Sequence, residues 1–115
     1  MKAAVKVDER KELVIMDVPM PELKPTDVLL KVHTAGLCGS DVAIRNNTFM
    51  GRHGPVKYPI IPGHEFFGTV VEVGPRVNKF KVGDRAFTDC VVGCGECYEC
   101  KTGKFCKKWI HWGID

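Results

Sequence analysis

The chain has 115 residues, enough for one domain or part of one. Its 44% hydrophobic and 27% charged residues are ordinary globular composition, which argues against a disordered tail, a collagen or a mucin. Seventeen basic against fourteen acidic residues give +3 with no basic stripe, so nucleic-acid binding finds no support.

In chain order, Lys2 to Val7 alternates as a strand and ends in the turn signal Asp8-Glu9-Arg10-Lys11. Leu13 to Val18 is a second strand, so the pair reads as a hairpin. Three prolines between Pro19 and Pro25 remove donors and fix φ, which makes that stretch an extended linker. Asp27 to Ala35 resumes strand, with Val28, Leu30 and Val32 on one face and Leu29, Lys31 and His33 on the other. In Gly36-Leu37-Cys38-Gly39-Ser40-Asp41, Ser40 or Asp41 is expected to cap a short helix through Ala43 to Arg45. Asn46 to Tyr58 reads as a polar loop, Thr69 to Val73 as a strong strand, and Gly83-Asp84-Arg85-Ala86-Phe87 as a turn into another strand. Many short strands, Gly/Pro punctuation and few helices predict a mainly β chain, a small barrel. No apolar run reaches the roughly eighteen residues a membrane helix needs. The segment Met1–Lys6 lacks the apolar stretch of a secretory signal, and the expectation is a cytoplasmic protein off the membrane.

Cysteine says more. Five of the six cysteines fall between positions 90 and 106, a cluster that binds metal in a cytosolic protein and forms disulfides in a secreted one. Cys94, Cys97, Cys100 and Cys106 follow Cys-x2-Cys-x2-Cys-x5-Cys, within a lobe spanning 90–108. A structural Zn²⁺ takes four soft ligands in a closed tetrahedron, and thiolates three residues apart converge across a tight turn. Gly93, Gly95 and Gly103 offer turn freedom, and Lys101, Lys104, Lys107 and Lys108 would offset the excess negative charge. Free thiols, disulfides and an iron site remain alternatives, although the x5 gap and the lack of a following proline depart from the iron–sulfur pattern. Cys90 alternates with Val91 on a strand and reads as buried.

Outside the lobe lie Cys38, His64 and Glu65. Singly each is bland, since a lone cysteine is usually a small buried hydrophobe. Together they are one thiolate, one imidazole and one carboxylate in Gly-flanked segments, a set that suits a catalytic zinc with an open coordination position. Of the other candidates, His33 shares a face with Lys31 and reads as solvent-facing. His53 sits in a Gly-flanked loop that could border a substrate, His111 lies between two tryptophans as packing, and Phe66 and Phe67 read as barrel core.

Gly63-His64-Glu65-Phe66-Phe67-Gly68, followed by Gly74 and Val77, resembles the signature of zinc-containing alcohol dehydrogenases, the medium-chain dehydrogenases/reductases. Leu37-Cys38-Gly39-Ser40-Asp41 is similar to their Cys-x-[Ser/Thr]-Asp element, and the four-cysteine lobe after Gly83-Asp84-Arg85 is their third landmark. Cys38 to Asp41 and His111-Trp112-Gly113 most resemble the polyol, sugar-alcohol and threonine dehydrogenases. The resemblance implies a GroES-like, partly open barrel with few short helices and a zinc-binding lobe. It implies that Cys38 and His64 ligate a catalytic zinc, with Glu65 a ligand or exchanging near-ligand, and that Cys94, Cys97, Cys100 and Cys106 hold a structural one. Asp41 would accept from the ring N–H of His64, and Ser40 would bond the substrate oxygen and start the proton relay. The implied reaction takes an alcohol or polyol to a carbonyl by hydride transfer to NAD or NADP.

Three features depart from the family. Ala43 stands where many members carry a relay histidine, so proton release would use His53 or water. The last cysteine gap is short, so either the loop tightens or Cys90 replaces one ligand. No Gly-x-Gly-x-x-Gly is present, so residues 1–115 are expected to be the N-terminal piece of the catalytic domain, natural or cut, without a Rossmann cofactor domain and inactive alone. Self-association or a homo-oligomer is expected from strand edges left unpaired. The rival reading is a non-catalytic zinc-binding barrel that serves folding or partner contact.

Overall fold

A computed structural model describes residues 1–10, 12–51 and 54–114. The predicted hairpin forms from β1 (Lys2–Lys6) and β2 (Leu13–Asp17), which run antiparallel with Lys2 opposite Asp17 and Lys6 opposite Leu13. Lys11 of its expected turn lies outside the described residues. The Met1 ammonium donates to the Val18 carbonyl at 2.6 Å and closes the open end. The proline stretch is irregular, as three fixed φ angles require.

Strand β3 (Val28–Ala35) pairs antiparallel with the segment Phe66–Val73, but its register shifts between Leu29 and Leu30 and again between Val32 and Thr34. Each shift rotates the strand, so the expected strict alternation of faces does not hold and Val32 is 51% exposed. Helix α1 (Gly39–Arg45) follows. Its cap is Cys38, not Ser40 or Asp41: Cys38 is extended, and Asp41, three residues in, accepts the Cys38 backbone N–H at 2.9 Å. An acidic side chain at that position reaches back to the cap as in a capping box, which moves the boundary by a few residues.

The segment expected to be plain loop contains two short strands, β4 (Met50–Gly51) and β5 (Gly54–Pro55), joined as a ladder. His53 lies outside the described residues. Strand β6 (Phe66–Val73) begins three residues before the predicted Thr69. It is the centre of an antiparallel sheet ordered β3-β6-β7, with β7 at Arg85–Phe87. The lobe adds β8 (Val91–Val92), a single helical turn α2 (Tyr98–Lys101) and β9 (Ile110–His111), with Val91 opposite His111. The strand expected at Cys90 and Val91 is found as β8 from Val91, whereas β9 and α2 were not predicted, since two-residue strands among Cys and Gly have no readable period.

The architecture is mainly β with few short helices, as expected. Its strands fall into separate ladders, and the hairpin is tied to the segment before β6 by a bridge between Lys6 and Ile60. Val5, Ile44, Val70, Cys106 and Ile114 form the buried apolar set, whereas Leu37 and Phe87 are 89% and 80% exposed. Among the described residues no helix is long and apolar enough to cross a membrane.

Gly68 sits where β6 is buried against β3. A Cβ there would collide with the Lys31 carbonyl, its carbon 2.9 Å away, and come within 3.2 Å of the Val32 Cα. These are backbone atoms in a ladder and cannot swing aside. Gly68→Ala is expected to destabilise the chain by about 1–3 kcal/mol or more, measured by urea denaturation.

Candidate metal centres

Sheet pairing assembles the first centre. Ala35, the last residue of β3, lies opposite Phe66, the first of β6. Antiparallel pairing therefore brings the turn after β3, with Cys38, against the turn before β6, with His64 and Glu65. The Gly36 N–H donates to the Glu65 carbonyl at 2.7 Å and extends the ladder by one step into the site. A Cβ on Gly36 would stand 2.6 Å from Glu65 Oε2, so glycine leaves room for the carboxylate.

Cys38, His64 and Glu65 each present a ligand atom within 4.8 Å of the others. His64 is 3% exposed, Cys38 is half-buried and Glu65 is exposed. Helix α1 contributes Ser40 and Asp41. The Ser40 hydroxyl is 3.4 Å from His64 Nε2. The Cys38 thiol is pushed below its ordinary range, first by the Ser40 hydroxyl, then by the Ser40 backbone and by His64, against the opposing effect of burial. The expected hydrogen bond from the His64 ring to Asp41 is not closed: Nδ1 lies 3.9 Å from Oδ1. Both atoms are buried and have no hydrogen-bond partner among the described residues. Asp41 spends its other oxygen on the Cys38 N–H.

Three supports around His64 escaped the sequence reading. The Thr88 hydroxyl, one residue past β7, donates to the His64 carbonyl at 2.6 Å and accepts the Phe66 N–H at 3.1 Å. The His111 ring packs on His64 with centroids 5.4 Å apart, and Trp109 meets His111 edge-on at 5.7 Å. Gly113, with φ of 65°, lies so close to Gly63 that a Cβ would be 2.7 Å from the Gly63 nitrogen. His111 is thus packed, as expected, but against the site itself. A lone threonine or glycine far along the chain carries no signal of this in sequence.

The second centre is the lobe. Cys94, Cys97, Cys100 and Cys106 present their sulfurs within 4.8 Å of one another, and Cys90 is not among them. The Cys97–Cys106 and Cys94–Cys106 sulfur separations are both 3.7 Å. A disulfide is about 2.05 Å long, so these are not disulfides. Four sulfurs each about 2.3 Å from one tetrahedral ion lie about 3.8 Å apart. Backbone N–H groups of Cys94 and Lys108 donate to the Cys106 sulfur at 3.4 and 3.2 Å, and that of Cys100 donates to Cys97 at 3.4 Å. The Cys94 thiol is held at about 6 by the Glu96 and Cys97 N–H groups. At Cys97 the Cys100 N–H pulls down, but burial and the neighbouring Cys100, Cys94 and Cys106 thiols outweigh it and raise the group to about 12. Cys106 is likewise pushed down and Cys100 up, so the four thiols pull in opposed directions.

Gly95 and Gly103, with φ of 73° and 72°, make the turns. Gly93 instead is packed, since a Cβ there would stand 3.0 Å from the Cys100 sulfur. Of the nearby lysines, Lys107 pairs with Glu99 at 3.0 Å and Lys104 lies over the Tyr98 ring.

Other candidates fall away from both centres. His33 is exposed and bonds Thr69 Oγ1 at 2.9 Å. Phe66 and Phe67 are half-buried rather than deep core, and Phe67 stacks beneath the Arg85 guanidinium at 4.9 Å. Cys90 is half-buried and accepts the Trp112 N–H at its carbonyl.

Residues 24–114 match the sequence profile of the alcohol dehydrogenase GroES-like domain. An L-threonine 3-dehydrogenase of Chelativorans sp. (strain BNC1) is 39% identical over 99% of this chain and 33% of its own length. A sorbitol dehydrogenase of Bacillus subtilis (strain 168) is 42% identical over 91% of this chain and 29% of its own. The solved structure of an alcohol dehydrogenase from Thermus sp. ATN1 superposes with a TM-score of 0.84 at 30% identity, covering 99% of this chain and 32% of that one. The chain thus spans about a third of the length of the relatives it matches.

Replacing Thr88 by valine keeps its shape but strands the Phe66 N–H and the His64 carbonyl. Thr88→Val is expected to cost about 1–3 kcal/mol by thermal or urea unfolding, with the loss concentrated around His64 in amide exchange.

Proposed function

The chain belongs to the alcohol dehydrogenase GroES-like domain family, and from that premise we propose that it is the N-terminal, substrate-activating part of a zinc-dependent, nicotinamide-linked alcohol or polyol dehydrogenase of the cytoplasm. The observation that carries this reading is the convergence of Cys38, His64 and Glu65 beside Ser40, apart from the four-sulfur cluster.

The donor chemistry fits two zinc ions. At the lobe, four sulfurs at near-tetrahedral spacing would hold a structural ion with no open position. At the other centre, a lowered thiol, an imidazole and an exposed carboxylate leave room for a small ligand. The orphaned pair of His64 Nδ1 and Asp41 Oδ1 points the same way: a ring that ligates through one nitrogen keeps its proton on the other, and Asp41 stands ready to receive it. When bound, zinc at this centre supplies the Lewis acidity that lowers the pKa of an alcohol.

The chain's own residues do the rest. Ser40 Oγ would accept the substrate hydroxyl proton and hand it on. Asp41 holds Cys38 by its backbone N–H and, by closing the 3.9 Å gap to Nδ1, would orient the His64 ring. His111 and Trp109 wall the site on the His64 side. With Ala43 two residues beyond Asp41, the proton would leave through water or His53. In a protein of the relatives' length, the remaining two thirds would bind NAD or NADP and accept the hydride. The substrate class is a small secondary or primary alcohol, a polyol or a hydroxy amino acid, as the names of the relatives suggest.

Metal analysis of protein purified without chelator is expected to return two zinc ions per chain. Cys38→Ala should remove one and Cys97→Ala the other. A single zinc that survives Cys38→Ala and is lost with Cys97→Ala would replace this reading with a non-catalytic zinc barrel. The exposed Phe87 on the outer strand β7, with Ile15 on β2, should also drive self-association of the 115 residues. Light scattering over a concentration series is expected to show more than a monomer.

A further inference from the structure

Lys6 is 1% exposed, although lysine is among the residues least often buried. Taking an ammonium out of water is costly unless it is held by strong partners. Its Nζ donates to the carbonyl of Arg45, the last residue of α1, at 3.0 Å, and lies 5.9 Å from the centre of the Tyr58 ring. Its backbone meanwhile exchanges both hydrogen bonds with Ile60, at 2.8 and 2.9 Å. One residue thus grips two segments through different groups.

Those two segments carry the first centre. Helix α1 has Arg45 at one end and the Cys38, Ser40 and Asp41 group at the other, roughly 10 Å away by helical rise. Ile60 lies four residues before His64. A cation at the C-terminal turn of a helix also satisfies a carbonyl that has no partner within the helix. Neighbouring contacts reinforce the grip: Asn47 donates to the Glu9 carbonyl at 2.5 Å, and Tyr58 donates to Asn47 at 3.0 Å. Lys6 itself precedes the residues the family profile matches, which begin at 24.

We infer that Lys6 is a positioning residue for the Cys38–His64–Glu65 centre: it fixes the helix that bears Cys38 and the segment that bears His64 at one mutual distance. The inference rests on the reading of that centre as a cation site. It acts through geometry, so it should alter the affinity of this centre and leave the four-cysteine cluster alone.

The test is Co²⁺ titration of the whole chain, read by absorption, because a one-thiolate and a four-thiolate cobalt site have distinct spectra. Lys6→Met keeps the stem and removes the charge and donor. It is expected to weaken Co²⁺ at the Cys38 centre about tenfold or more, while the cluster stays within about twofold. Lys6→Arg, which keeps a cationic donor, should restore most of the affinity. If Lys6→Met does not fold, Lys6→Gln, with a neutral donor, should show the same selective loss in weaker form. Amide exchange gives a metal-free reading: residues 41–45 and 60–65 should lose protection in the variants, and residues 94–106 should not. Unchanged cobalt affinity and exchange, or equal weakening at both centres, would overturn the inference. If the unaltered chain binds no cobalt at Cys38, the cation-site reading fails by itself, and the exchange pattern alone decides the role of Lys6.

Discussion

The antiparallel ladder between β3 and β6 is the constraint on which the first centre depends. Its register sets Ala35 against Phe66. Once that pair is fixed, Cys38 and His64 must meet, because each lies only a few residues beyond the same end of the ladder. A one-residue slip would turn the side chains of a strand to the opposite face. Gly68 protects the register from inside, as its missing Cβ lets the Lys31 carbonyl approach β6 more closely than any other residue would permit. The ladder resumes after both bulges in β3, with Thr34 opposite Phe67 and Ala35 opposite Phe66, so its last pair lies at the edge of the centre.

Around that ladder the chain concentrates groups that are poorly satisfied by protein alone. His64 and Asp41 are buried, face each other and leave one atom each unbonded among the described residues. In the lobe, four thiols crowd together with opposed tendencies, Cys94 down to about 6 and Cys97 up to about 12. Both arrangements cost free energy as they stand, and a bound cation at each would offset that cost. The core is too small to absorb such costs easily, since its fully buried apolar side chains are few. In the lobe, short strands, one helical turn and two positive-φ glycines have little apolar surface of their own, so a cation held by the four cysteines would stand in for a core.

Legibility differed sharply between short-range and long-range features. The Cys-x2-Cys-x2-Cys-x5-Cys spacing is local, and the structure brings these four sulfurs together, with Cys90 not among them. The hairpin, β3 and the mainly β class were readable from period-two alternation. The cap of α1 was misplaced because a cysteine is an unusual cap, and Asp41 performs the role from within the first turn. The strands β4, β5, β8 and β9 are two residues each, too short for any period. Thr88, His111 and Gly113 were invisible as supports of His64, because each acts across a gap of more than twenty residues.

By itself the sequence determined which atoms are available: which thiols, imidazole and carboxylate exist, and which of them lie near enough along the chain to close on one ion. That much follows from covalent spacing and turn chemistry, which act over a few residues. Only the tertiary structure decided that Cys38 and His64 lie side by side, that Ser40 rather than another hydroxyl faces the His64 ring, and that a lysine at position 6 ties down the far end of the helix. Those outcomes depend on strand register and burial, which are properties of the assembled chain and not of any short stretch of it.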